Sequence, residues 1–219
     1  MSERKYDQQA HKLLVANRGE IAVRILRTAK KLGLRTLAIY TLVDATAPHV
    51  LLADEAVALP LVKKPDHADT EVDLASNSKG YLDIDAIVKI CVDYGVTLVH
   101  PGYGFLSENA TFARRLVEMN ILLLGPDPKT IEEMGLKHRA RDLAVQAEVP
   151  IVPGSIGLVA DVEEGERVAR TIGYPVMLKA TAGGGGMGLM VCRDASDLRT
   201  KLSATQKRAQ VILVARLCA

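Results

Sequence analysis

The first forty residues follow a strand–turn–helix–strand order, and this pattern restricts the fold more than any other feature of the chain. Residues 12–16 (KLLVA) form a short apolar run, and a polar turn follows at residues 17–20. Apolar side chains then recur at helical spacing as far as Gly33, and a second apolar run covers residues 35–40. A helix between two such strands predicts a βαβ unit and a parallel sheet.

The same alternation continues to about residue 126. Three more apolar runs of strand length occur at residues 55–59, 97–100 and 121–124. Two amphipathic helices are predicted between them, at residues 84–94 and 108–119. Near-continuous apolar strands are typical of parallel sheets that helices cover on both faces. We therefore expect residues 11–126 to form one open α/β domain, with residues 1–10 disordered and residues 62–79 in a surface loop.

The composition changes after Gly125-Pro126, which predicts a second unit over residues 127–210. Its predicted helices cover residues 129–134, 140–147, 161–172 and 196–210. Two apolar strands, at residues 174–181 and 188–193, flank a glycine tract. This strand–glycine loop–strand order differs from the first domain and predicts a hairpin flap, followed at residues 211–219 by an atypical tail.

The glycine tract is the strongest local signal for ligand binding. Lys179 ends the preceding strand, and the glycines are Gly183, Gly184, Gly185, Gly186 and Gly188. Bare backbone amides can lie close over a polyphosphate and donate hydrogen bonds to it, while the lysine adds positive charge. A dinucleotide-binding fingerprint would open a helix, whereas a strand follows here, and a P-loop would continue with Gly-Lys-Ser/Thr. The alternative is a flexible hairpin tip without a ligand.

Two further loops leave the carboxyl ends of predicted parallel strands. They are Asn17-Arg18-Gly19-Glu20 and HPGYGFLSEN at residues 100–109. Ligands of open α/β sheets bind at this edge. Taken alone, the first loop is more typical of an ordinary helix N-terminus, and His100 is more typical of a structural histidine than of a base. These residues therefore indicate only shaped loops on the ligand side.

Charge and composition argue against several classes of function. The 219 residues carry a formal net charge of +2, with no long run of like charges, no Trp and two Phe, which disfavours a nucleic-acid partner. The three cysteines are scattered without metal-ligand spacing and indicate a reducing compartment. Because the sequence shows no secretory signal and no apolar stretch that could span a bilayer, we expect a cytoplasmic protein with no membrane partner.

Five sequence blocks, in one order, together resemble a single family. They are VANRGEIAVRI, LLADEAVAL, YLDIDAIV, HPGYGFLSEN and GYPVMLKATAGGGGMG, and the resemblance covers about residues 11–208. The chain is similar to the biotin carboxylase domain of biotin-dependent carboxylases, which are ATP-grasp enzymes. The resemblance implies an α/β fold with a Rossmann-like pre-ATP-grasp domain and its parallel sheet at residues 11–126, followed by a partial ATP-grasp subdomain at residues 127–210.

The resemblance also implies a reaction and its ligands. The family uses magnesium-ATP to activate bicarbonate as carboxyphosphate and then carboxylates biotin on a carrier domain. The flap at Gly183 through Gly188 would close over the ATP phosphates, and Lys179 together with Lys137 (in Met134-Gly-Leu-Lys137) would contact them. The implied partners are ATP, bicarbonate and the biotin carrier, with a homo-oligomer as a candidate assembly because some members use this region for subunit contacts.

Two departures from the family pattern favour one branch. Many acyl-CoA and pyruvate carboxylases have Asp before the first lysine and Arg inside the flap, where this chain has Leu136 and Met187. These residues look more like the urea carboxylase part of urea amidolyase. The implied acceptor is therefore urea, with an acyl-CoA or pyruvate carboxylase as the alternative parent.

The last residues lead us to expect a truncated domain. In the family, an adenine-binding strand, two magnesium-binding glutamates and the bicarbonate site follow the flap region, and no such pair of glutamates follows the flap here. We therefore assign no catalytic residue and no metal ligand, and we expect the isolated chain to be inactive. A non-catalytic nucleotide-binding or association module stays open, and pairing of the apolar segment 211–217 as a strand would favour it. Another ATP-grasp ligase is disfavoured by the NRGEIAVRI and HPGYGFLSEN blocks.

Overall fold

The computed structural model describes residues 11–60, 80–155, 157–180, 189–206 and 212–216, and the side chains of all of these except residues 180, 204–206 and 212–216. The chain divides into two compact units, Met1–Glu132 and Glu133–Ala219. Residues 1–10 and 62–79, for which sequence analysis expected disorder and a surface loop, lie outside the described residues.

The first unit contains a five-stranded parallel sheet in the order β3-β2-β1-β4-β5. The strands are β1 (Lys12–Val15), β2 (Arg35–Tyr40), β3 (Glu55–Ala58), β4 (Leu98–His100) and β5 (Leu122–Leu123). Leu14 pairs with Leu37 on one side and with Val99 on the other. The order reverses between β1 and β4, which places a topological switch point at the centre of the sheet. The predicted parallel α/β domain is confirmed.

Within the described residues, four α-helices connect these strands. They are α1 (Gly19–Lys31), α2 (Pro48–Leu52), α3 (Ile84–Asp93) and α4 (Ala110–Glu118), and α5 (Pro128–Gly135) follows β5. Sequence analysis did not predict α2 or the single 3-10 turn at Leu42–Asp44 before it. Both are too short to show a helical period.

Alternate residues of β1 supply two separate cores, one on each face of the sheet. Leu14 packs with a cluster that includes Phe112 of α4 and Ile87 of α3, whereas Leu13 and Val15 pack with α1. The α1 side contributes Ala22, Leu26 and Ala29, which are buried at helical spacing. An apolar strand run is therefore needed at β1, because neither face meets water.

The second unit is an antiparallel sheet with helices. Its strands, in the order β7-β6-β8, are β6 (Val176–Ala180), β7 (Leu189–Cys192) and β8 (Ile212–Arg216). The helices are α6 (Lys137–Gln146), α7 (Val162–Ile172) and α8 (Ala195–Gln206). Val176, Leu178 and Cys192 form a buried cluster with residues of α7 and α8, including Leu198 and Leu202.

The segment that sequence analysis set apart as an atypical tail contains β8. This strand pairs antiparallel with β6 over five residues, from Ala180↔Ile212 to Val176↔Arg216. Of the two alternatives, pairing and a dangling end, the structure shows pairing. The predicted boundary at residue 126/127 lies a few residues before the division at 132/133, and the limits assigned to each domain stay predictions.

The N-terminus of α7 carries a side-chain cap. Asp161 adopts an extended conformation, and its carboxylate accepts a hydrogen bond from the amide of Glu164 at 2.7 Å. The cap satisfies one of the free amides of the first turn, and its negative charge suits the positive end of the helix dipole. The helix itself, Val162–Ile172, begins one residue after the predicted start at residue 161.

We expect Asp161→Ala to destabilise the second unit by about 1 kcal/mol, the usual cost of a lost N-cap. Thermal unfolding followed by circular dichroism measures the effect. Asp161→Asn is the matched control, because an amide oxygen can still accept from Glu164, and it should lose less than half as much. Equal losses in the two variants would show that the hydrogen bond is not what Asp161 contributes.

No helix in the described part of the chain is both long and apolar enough to cross a membrane.

Candidate functional site

Lys179 lies on the face of the second unit's sheet that is opposite α7 and α8. Along β6, Val176 and Leu178 are fully buried in the cluster formed with α7 and α8, while Met177 and Lys179 are half-buried. Because successive strand residues point to opposite faces, the Lys179 side chain projects away from the helix-covered core. Its neighbours across the ladder are Leu189 and Leu213. Lys179 thus offers an ammonium group on the open face at the end of the strand that enters the glycine tract.

Lys137 is the first residue of α6 in the same unit. Its side chain is half-buried, and the helix presents no fully buried residue. The preceding residue, Leu136, is extended and gives α6 no side-chain cap. A helix N-terminus without a side-chain cap and with a lysine in its first turn is a suitable environment for an anion, since backbone amides and the helix dipole both favour negative charge.

The glycines predicted to cover a phosphate, Gly183, Gly184, Gly185, Gly186 and Gly188, lie outside the described residues. The structure describes the strands on both sides of them, β6 and β7, which pair antiparallel from Val176↔Cys192 to Lys179↔Leu189. The glycines therefore belong to the connection of a hairpin. This agrees with the prediction that a strand, rather than a helix, follows the tract.

In the first unit, the two loops predicted at the carboxyl edge of the sheet meet at the switch point. Asn17, which follows β1, is fully buried, and its side-chain amide donates to the carbonyls of Pro101 at 2.9 Å and Tyr103 at 3.0 Å. Its carbonyl oxygen accepts from the amide of Arg18 at 2.9 Å. A side chain of the protein itself therefore bridges the place where many such sheets bind a ligand.

Gly102 allows this close approach. Its φ is +66°, and a Cβ built on it would lie 2.6 Å from the Asn17 side-chain nitrogen and 2.8 Å from Cγ2 of Ile21. A side chain is excluded both by the conformation and by the space. Sequence analysis expected a tight loop here from two glycines and a proline, and the structure shows which glycine the packing requires.

His100 has a structural hydrogen bond within this loop. Its Nδ1 accepts from the amide of Gly102 at 3.0 Å, and burial lowers the pKa of the ring below its ordinary value. The neutral ring suits this role, because an acceptor nitrogen must be unprotonated. The structural interpretation of His100 fits these contacts.

Arg18 belongs to an ion-pair network that sequence analysis missed. Its guanidinium donates to both carboxylate oxygens of Asp44, at 2.7 and 2.5 Å, and the hydroxyl of Tyr81 donates to the same carboxylate at 2.8 Å. Burial opposes ionisation of Asp44, but the hydrogen bonds from Arg18 and Tyr81 outweigh it and hold its pKa below the ordinary value. Burial and the bond to Asp44 raise the pKa of Tyr81.

The same network extends into the loop after β4. The ring of Tyr81 stacks on Phe105, with centroids 5.1 Å apart and an angle of 29° between the planes. Phe105 has a positive φ of 42°, a conformation that costs a bulky residue free energy. Tyr103, two residues earlier, is 65% exposed. The loop therefore combines a strained, packed residue with an outward-facing aromatic ring.

His49 is fully buried beside this network. Neither ring nitrogen reaches a described partner with hydrogen-bond geometry. Burial lowers the pKa of His49, and Arg18 adds to the effect. The backbone of Ile39 and the charge of Asp44 favour the protonated ring but do not overcome burial. A neutral histidine in this position is sensitive to acid.

Two family models match the chain, and they correspond to its two units. The model described as "Biotin carboxylase, N-terminal domain" matches residues 9–131. The model described as "Carbamoyl-phosphate synthase L chain, ATP binding domain" matches residues 137–218. The second match begins at Lys137 and runs through β8.

The similar curated proteins include several kinds of carboxylase. A putative urea carboxylase of Emericella nidulans is 49% identical over 91% of this chain, which spans 15% of that protein. A biotin carboxylase of Halalkalibacterium halodurans is 48% identical over 90% of the chain and 41% of its own length. The human propionyl-CoA carboxylase alpha chain is 46% identical over 90% of this chain and 25% of its own length. The chain thus spans less than half the length of these relatives.

Solved structures of the same kind share the fold. The biotin carboxylase of Campylobacter jejuni, in a complex described as β-γ-ATP, aligns with a TM-score of 0.82 and 33% identity, over 95% of this chain and 45% of that one. A second structure is the biotin carboxylase domain dimer of the Hydrogenobacter thermophilus 2-oxoglutarate carboxylase, in complex with MgADP, ADP and bicarbonate. It aligns with a TM-score of 0.77 and 42% identity, over 94% of this chain and 44% of that one.

Proposed function

The chain belongs to the biotin carboxylase family of biotin-dependent carboxylases, and from that premise we propose that its second unit binds the phosphates of ATP for the carboxylation of biotin. The observation that carries the proposal is the position of Lys179, on the open face of β6 at the entrance to the glycine tract. The match of residues 137–218 to an ATP-binding domain supports it.

The side chains present fit a polyphosphate. Lys137 and Lys179 both belong to the second unit, and each carries a compact positive charge that suits a nucleotide triphosphate. The amides of Gly183 through Gly188 would supply further donors. Bound ATP supplies the phosphoryl group that activates bicarbonate, and the lysines would neutralise and orient the phosphates during that transfer.

Magnesium would accompany the nucleotide, as in the MgADP complex of the Hydrogenobacter relative. Within the described ranges no group of three or more His, Cys, Asp or Glu side chains is arranged to hold a metal ion. We therefore propose no magnesium ligand among these residues. Bicarbonate and a biotin carrier are the proposed partners in the full enzyme, together with a second copy of the domain, since the Hydrogenobacter domain is described as a dimer.

For the final carboxyl acceptor we propose urea. Leu136 and Met187 stand where many acyl-CoA and pyruvate carboxylases have Asp and Arg, and the urea carboxylase relative is 49% identical. Propionyl-CoA and pyruvate carboxylases, at 46% and 44%, are nearly as similar. Carboxylation assays of the full-length enzyme with urea, propionyl-CoA and pyruvate decide between them, and acceptance of either of the latter without urea contradicts the proposal.

We expect Lys179→Gln and Lys137→Gln each to weaken ATP binding about tenfold, which corresponds to about 1.4 kcal/mol for one lost charge contact. Isothermal titration of the purified chain with ATP measures the change. Lys89→Gln is the control, because Lys89 lies in the first unit and pairs with Asp93 on the surface of α3. An unchanged affinity for ATP in both lysine variants would show that Lys137 and Lys179 do not contact the ATP phosphates.

A non-catalytic nucleotide-binding module is the second candidate. The pairing of β8 with β6 favours it, because the last apolar segment of this chain forms a strand of the second unit's own sheet. The two candidates differ in turnover. We expect the purified chain to bind ATP without biotin-dependent hydrolysis, and a steady-state phosphate-release assay measures this. Hydrolysis above background that increases with biotin and bicarbonate would contradict that expectation.

A further inference from the structure

We propose that Asp44 and Tyr81 are positioning residues that hold the loop at residues 101–105 in one conformation, so that Tyr103 faces a ligand at the carboxyl edge of the parallel sheet. The functional importance of this role rests on the proposed function, because only a bound substrate requires the loop to be preorganised. The contacts that support the proposal all lie within the first unit.

The loop is strained at a residue that the network contacts directly. Phe105 has a φ of 42°, and left-handed backbone costs a non-glycine residue about 1–2 kcal/mol. Such a conformation persists only when the surroundings enforce it, and strain of this kind is concentrated at binding sites. The stacked ring of Tyr81 is one of the contacts that hold the Phe105 side chain, which also packs against the core cluster of the first unit.

Tyr81 is itself fixed by polar contacts. Its hydroxyl donates to Asp44 at 2.8 Å and accepts from the amide of Thr41 at 3.3 Å, in a side chain that is only 1% exposed. Asp44 is in turn held by two hydrogen bonds from Arg18. An ordinary core tyrosine needs one partner for its hydroxyl, whereas this one connects a charged pair to the loop.

The loop has a second, independent anchor on its other side. Asn17 holds the carbonyls of Pro101 and Tyr103, so the backbone of Tyr103 is fixed while its ring stays exposed. Two networks thus converge on one loop and leave a single large aromatic side chain facing outward at the switch point. When this many buried hydrogen bonds fix a loop and leave its aromatic ring exposed, we expect the ring to contact a ligand.

The experiment uses the absence of tryptophan from the sequence. Tyr103→Trp introduces a single fluorescent reporter, and time-resolved anisotropy separates its local motion from tumbling of the whole chain. In this background Tyr81→Leu removes the stacked ring, and Asp44→Ala removes the acceptor. We expect each to increase the amplitude of the fast local component about twofold. Tyr81→Phe keeps the ring and should have a smaller effect.

The control is Tyr94→Phe, because Tyr94 follows α3 at the opposite edge of the sheet and is partly exposed. It should leave the anisotropy unchanged. A lower melting temperature with unchanged local motion below the transition would show a merely structural role and overturn the proposal. If Tyr81→Leu or Asp44→Ala fails to fold, Tyr81→Phe decides, and no change in local motion overturns the proposal. The readout uses no nucleotide, so it can fail or succeed independently of ATP binding.

Discussion

Replacing Gly102 by alanine is expected to destabilise the first unit by about 3 kcal/mol, more than any other substitution we consider. The left-handed conformation at φ +66° accounts for about 1–2 kcal/mol of this loss. The remainder follows from the contact at 2.6 Å with the Asn17 side chain, which is fully buried and cannot move without losing its bonds to Pro101 and Tyr103. A buried amide that loses its partners costs about 1–3 kcal/mol.

Gly104→Ala separates the two contributions. Gly104 has a similar φ of +71°, but a Cβ built there meets no atom within 4 Å. Only the conformational cost remains, so we expect a loss of about 1 kcal/mol. Urea denaturation of the full chain, with the transition of the first unit assigned by amide exchange in β1 and β4, measures both variants. Equal losses at the two glycines would mean that the Asn17 side chain moves freely and does not fix the loop.

Much of the architecture could be predicted because it depends on local patterns. The strand at residues 35–40 and the helix capped by Asp161 lie where sequence analysis placed them, since each depends on apolar spacing or on a capping residue. The parallel sheet followed from the alternation of strands and helices. The short α2 and the 3-10 turn before it were missed, because five residues are too few to show a period.

The Arg18–Asp44–Tyr81 network could not be predicted, because its members are 26 and 37 residues apart in sequence and meet only through the fold. Asp44 carries no signal of its own in a stretch of small and apolar residues. Strand alternation predicts that Lys179 shares a face of β6 with Met177, and that Val176 and Leu178 share the other face. The continuous apolar run of β6 concealed which face the helices would cover.

Acidification from pH 7.5 to pH 5 is expected to destabilise the first unit through His49 and His100. Both rings have a pKa below the ordinary value of 6.5, and burial is the main cause for each. As the pH falls through 6.5, the unfolded chain takes up protons at these positions more readily than the folded chain does. Stability is therefore complete above that pH and decreases below it, by up to about 1.4 kcal/mol per pH unit for each histidine.

His49→Gln tests the larger share of this effect, because His49 is fully buried whereas His100 is half-buried. Buried glutamine does not titrate, so the variant should lose its part of the pH dependence whatever its stability at pH 7.5. The measurement is the slope of the unfolding free energy between pH 6.5 and pH 5 in the parent chain, in His49→Gln and in His49→Gln/His100→Gln. We expect the slope to decrease stepwise through this series. An unchanged slope in His49→Gln would show that the ring accepts a proton within the fold, and that Asp44 and the backbone of Ile39 outweigh its burial.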